Sequence, residues 1–135
     1  MDPNRPWAHE GPGDVYVRKG QLDVAIREYR RAVELSGNEP WTLSALAYAD
    51  GLAGKRAEAL DILRQLNAMS EHRPVLAMDR VAVYIGLGDK QQALAWLEKA
   101  YDEHDWEMMG LKADPIYDGL RSDPGFQDIV RRIGL

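Results

Sequence analysis

Apolar side chains recur along the chain at helical rather than strand spacing. Ile26, Tyr29, Ala32 and Val33 fall at i, i+3, i+6 and i+7 and share one helix face. Leu43, Leu46, Ala47 and Ala49 make an inward stripe of the same kind. No run alternates apolar and polar residues with period two; Val81-Ala82-Val83-Tyr84-Ile85, the nearest approach, sits inside a longer helical period. The pattern predicts a first helix over residues 40–53 and a set of partners over residues 22–35, 57–69 and 90–104. The chain is therefore expected to be all-α.

The stripes repeat at a fixed interval. Gly20, Gly54 and Gly88 are 34 residues apart, and so are Ala25, Ala59 and Ala93, and Pro6, Pro40 and Pro74. The apolar sets Ile26, Leu60, Leu94 and Tyr29, Leu63, Leu97 keep the same period. Each unit reads as a helical hairpin. Proline suits the first turn, where its missing N–H and fixed φ do no harm. Glycine ends the first helix in the left-handed conformation, and the small alanine lets the paired helices approach. The units span 6–39, 40–73 and 74–107, within a single domain. In the first, Gly11-Pro12-Gly13 falls where a helix interior is due, so that helix should be broken, short or shifted, running from near Pro12 to Arg18 or Lys19, or else form in two pieces with Trp7 packing back.

After the third unit the period weakens. Residues 106–113 read as the first helix of a fourth unit, stopped by Asp114-Pro115. A short turn over 115–120 follows. Ser122 or Asp123 then caps a last helix that starts at Pro124, carries Phe126, Ile129, Val130 and Ile133 on one face, and stops at Gly134. Residues 108–135 are expected to act as the terminal cap that a stack of repeats needs.

The period, turn glycine, alanine and following aromatic or leucine resemble the tetratricopeptide repeat over about residues 4–105. The resemblance implies an α-α superhelix of three hairpins. Residues 111–135, with Gly86–Lys90 and Trp96–Tyr101, are similar to the C-terminal repeat arrays of bacterial multidomain kinases, adenylate-cyclase-type proteins and winged-helix regulators. In this family the first helices line a concave groove. Carried over, the groove slots are Asp14, Val17 and Arg18; Trp41, Ser44, Ala45, Tyr48 and Leu52; and Val75, Met78, Asp79, Ala82 and Ile85. The residues expected to carry peptide binding are Arg18, Trp41, Tyr48, Leu52, Met78, Asp79, Ala82 and Ile85. The slots that match the family's clamp for acidic chaperone tails are Glu10, Asp14, Ala45, Val75 and Asp79. None is basic or an amide, which speaks against that ligand.

Composition narrows the chemistry. The 135 residues include no cysteine, which excludes disulfides, thiolate metal sites and cysteine nucleophiles. His9, His72 and His104 lie far apart, and no serine sits in a nucleophile elbow. Gly51–Lys55 and Gly86–Lys90 lack phosphate-loop spacing and coincide with repeat turns. Neither an enzyme nor a cofactor is expected. The net charge of −5 argues against a nucleic-acid surface, and no apolar run or leader-like start predicts membrane insertion, pointing to the cytoplasm. The acidity is local: residues 98–128 carry nine acids against the bases Lys99, Lys112 and Arg121. That stretch lacks the alternation of a calcium loop and reads as a solvated face. The expected function is binding of a protein or peptide partner. The alternative is a structural role, as a homodimer formed through the incomplete first unit or as a spacer in a larger regulator.

Overall fold

The computed structural model describes residues 15–104 and 115–134. Within them lie α1 (Leu22–Ser36), α2 (Pro40–Leu52), α3 (Arg56–Met69), α4 (Ala77–Leu87) and α5 (Lys90–Asp102). A 3₁₀ helix (Pro115–Leu120) and α6 (Pro124–Ile133) complete the order, and the described residues contain no strand. Residues 15–18 are helical and end a turn before α1. The expected helix over 106–113 and the groove slot at Asp14 lie outside the described residues.

The 34-residue period is a backbone geometry as well as a sequence pattern. Gly20, Gly54 and Gly88 take φ of 76°, 80° and 77°, the left-handed region that side chains with a Cβ resist. Each glycine N–H donates three residues back, to Val17, Gly51 and Ile85. The next N–H donates to the carbonyl of Tyr16, Asp50 or Tyr84, at 2.9, 2.8 and 2.9 Å. The same two-bond closure thus ends the first helix of every unit. The period alanines Ala25, Ala59 and Ala93 are fully buried.

Helices pack in the order the hairpins require. α2 lies against α1, α3 and, most extensively, α4; α4 packs on α5, and α5 on α6. One buried cluster joins α1, α2 and α3 around Tyr29, Leu46 and Leu66. A second joins α4, α5, the 3₁₀ helix and α6 around Val81, Leu97, Leu120, Phe126 and Ile129. Tyr84 packs against both.

Two places depart from the expected pattern. The first helix of the third unit begins not at Pro74 but at Ala77, three residues late. In the second unit Thr42 ties the first turn down: its hydroxyl donates to the Glu39 carbonyl at 2.7 Å and bonds the Ser36 hydroxyl at 2.9 Å. One period later that position is Leu76, which has no such group. Instead the Asp79 carboxylate accepts the Leu76 N–H at 3.2 Å, and capping starts there. The second departure is a close helix crossing, between α2 and α4. A Cβ on Gly86 would lie 2.6 Å from the Tyr48 carbonyl oxygen, and one on Gly51 would lie 2.5 Å from the Gly86 backbone.

The tail follows its sequence signals. Asp123 caps α6 by accepting the Gly125 N–H at 2.8 Å, Pro124 occupies the first turn, and Gly134 ends the helix at φ 80°. The acidic stretch is more balanced than its composition suggests, because arginines within it and just beyond it pair with its carboxylates. Arg132 binds both Glu98 and Asp128, and Arg121 binds Asp118.

Candidate functional site

Trp41, Ala45, Tyr48 and Leu52 follow one another at spacings of four, three and four residues, so α2 presents them on one face. Ala82 and Ile85 hold the same relation on α4. The close crossing at Gly51 and Gly86 joins the two faces, because the Tyr48 backbone lies directly against Gly86, next to Ile85. Trp41, Tyr48, Ala82 and Ile85 are half-buried, and Leu52 is 42% exposed. Arg18, at the end of the 15–18 turn, is exposed, and its neighbour Val17 packs against the first cluster. Trp41, Ala45, Tyr48, Leu52, Ala82 and Ile85 make a strip of apolar and aromatic surface.

Four expected groove residues are not on that strip: Val75 precedes α4 and lines a separate notch, and the other three are buried. Met78 is only 3% exposed and belongs to the second core cluster. Asp79 is 4% exposed and its carboxylate serves the start of α4. Met78 lies one period after Ser44 and shares its buried position, and Asp79 is held in the first turn of α4 by the Leu76 N–H. Ser44 is also buried, its hydroxyl donating to the Trp41 carbonyl at 2.9 Å.

Two charged groups were not anticipated as buried. Asp50 is 2% exposed, and its Oδ1 has no hydrogen-bond partner among the described residues. Burial pushes its carboxyl above the usual carboxylate range; Arg30 and Lys55 pull it down, and Glu58 adds to the rise. Arg80 is 7% exposed, donates Nε to the Asn67 side chain at 2.9 Å and stacks 4.5 Å from the Trp96 ring. Burial lowers its affinity for a proton, an effect opposed by Tyr84, Asp79 and Glu103. The period held a signal for Asp50: one unit before and after, the position is Tyr16 and Tyr84. A carboxylate between two aromatics marks a site where the shared pattern is broken. Arg80 had no such signal.

Comparison with protein-family models agrees with the period. A TPR repeat model matches residues 13–51, and tetratricopeptide repeat models match 40–65 and 80–103. The chain is a tetratricopeptide-repeat protein. No curated protein and no solved structure matched it. Tetratricopeptide repeats are in general modules for protein–protein interaction and are typically non-catalytic. Among the described residues of this array, no helix is long and apolar enough to cross a membrane.

Proposed function

We propose that this tetratricopeptide array binds an extended peptide or protein segment along the strip formed by Trp41, Tyr48, Leu52, Ala82 and Ile85. Arg18 would orient a polar or acidic group at one end. The reading rests on one observation. Large side chains at regular positions on α2 and α4 remain half-exposed, whereas the opposite faces of those helices are fully packed. Half-buried Trp and Tyr offer wide contact area with few torsions to fix, which is why they dominate binding hot spots.

Selection from a displayed random-peptide library tests it. Peptides enriched on the wild type should lose binding at least tenfold to the Trp41→Ala, Tyr48→Ala double variant, with far-UV helicity unchanged. Binding that survives the double substitution refutes the groove. If the array instead self-associates, sedimentation over a concentration range will show a tight dimer that the same substitutions dissociate.

A further inference from the structure

A notch of about 770 Å³ opens where the loop after α3 meets the start of α4 and the last turns of α5. It is not built from the groove strip. Pro74, Val75 and Leu76 form one wall and the Trp96 ring the other. Its charged members among the described residues are Arg73, Arg80, Lys99 and Glu103, and His104 also lines it.

Two cations converge here, and the carboxylates that act on Arg80 are Asp79 and Glu103. Arg80 at 4.5 Å and Lys99 at 4.8 Å lie over the same indole ring. Trp96 attracts each cation but leaves the two repelling one another. Arg80 is nine-tenths buried, and among the described residues its hydrogen-bond partner is Asn67, reached through Nε. Neither Arg80 nor Lys99 has a carboxylate at ion-pair distance among the described residues. Arg73 is already paired, to Glu39 at 2.8 Å. A buried guanidinium stacked on an aromatic and held by one side bond keeps its two terminal N–H₂ groups in a fixed fork, the geometry that grips an oxyanion in bidentate fashion. The positive end of α4 is already met by the Asp79 carboxylate, and the carbonyl end of α5 is offset by Lys99 in its last turn.

We propose that the notch is a second binding site, specific for an oxyanion on a peptide side chain: a phosphate or a carboxylate held by Arg80 and Lys99 against Trp96. The apolar wall of Pro74, Val75 and Leu76 would receive the neighbouring part of the same peptide. The site does not depend on the groove, and a single ligand need not span both.

Inorganic phosphate and N-acetylglutamate amide, titrated separately at constant ionic strength with chloride as the balancing salt, distinguish the two sources. The Trp96 indole N–H and Arg80 Nε–H resonances should shift saturably with at least one of them. Saturation by phosphate alone identifies a phosphorylated side chain, and saturation by the glutamate probe identifies an acidic one. Arg80→Gln should weaken the interaction at least tenfold, as loss of a charge-assisted bond predicts. Lys99→Gln, at an exposed position whose loss leaves the fold intact, should weaken it severalfold. The Trp41→Ala, Tyr48→Ala variant should bind both probes as the wild type does, which separates this site from the groove. Shifts that never saturate, or that persist undiminished in Lys99→Gln, overturn the proposal.

Discussion

Asp50 shows how one residue can work against the fold that contains it. Its carboxylate sits in the last turn of α2, near the helix's negative end, and is almost wholly removed from water. The charged groups around it are Arg30 on α1 and Lys55 and Glu58 at the start of α3. Because burial raises its pKa, the folded state binds a proton more tightly than the unfolded chain does. Stability is therefore unaffected below the unfolded value, falls as pH rises through the raised folded value, and stays reduced at neutral pH. Asp50→Asn removes the charge while keeping the shape. Its melting temperature should exceed that of the wild type at pH 7, and the gap should close as the pH is lowered toward 4. A gap that stays constant with pH would mean that Asp50 is neutral already or is compensated by its cations. The same scale explains why the groove residues were only partly legible. Periodicity assigns a face to Trp41, Tyr48, Ala82 and Ile85, and the structure places them half-exposed. It cannot tell that Asp79 turns back to hold the Leu76 N–H, because that choice depends on the absence of a hydroxyl at position 76.

At the scale of elements, what the period determines is the hairpin. The glycine closures, the buried alanines and the capped last helix all follow from residue types whose local physics is strong. What it leaves open is how hairpins meet, and there the Gly51–Gly86 crossing decides. Gly86→Ala gains helix propensity, about 1 kcal/mol, but pushes a methyl into the Tyr48 backbone, which cannot yield as a flexible side chain can. Overpacking should prevail, with a net loss of about 1–2 kcal/mol in urea titration. Gly119→Ala, where an added Cβ meets nothing within 4 Å, serves as the control and should change stability by less than about 0.5 kcal/mol. The cap of α6 can be tested the same way. Asp123→Ala removes the acceptor for the Gly125 N–H and should cost about 1 kcal/mol. Amide exchange should show that loss first in the opening turn of α6.

The whole molecule is a chain of neighbours rather than one centre. Its two buried clusters are separate groups of residues that meet at α4, where Val83 faces the first, Val81 the second, and Tyr84 touches both. In such an array stability is approximately the sum of each unit and its contacts with the next, so damage at one end should fade with distance. Phe126 gives the sharpest test. It is 2% exposed, stacks with Tyr117 at a ring-centroid distance of 6.1 Å and lies wholly in the second cluster. Phe126→Ala should remove about 3–5 kcal/mol from that cluster. Hydrogen exchange should then show protection falling most in α5 and α6, less in α4, and least in α1. The proposed binding strip, anchored mainly on α2 beside the first cluster, should then keep its shape while the cap loosens. A uniform loss of protection from α1 to α6 would instead mean that the α2–α4 crossing fuses both clusters into one cooperative unit. Gly86→Ala would then be expected to restore the gradient, because it weakens the contact that transmits the damage.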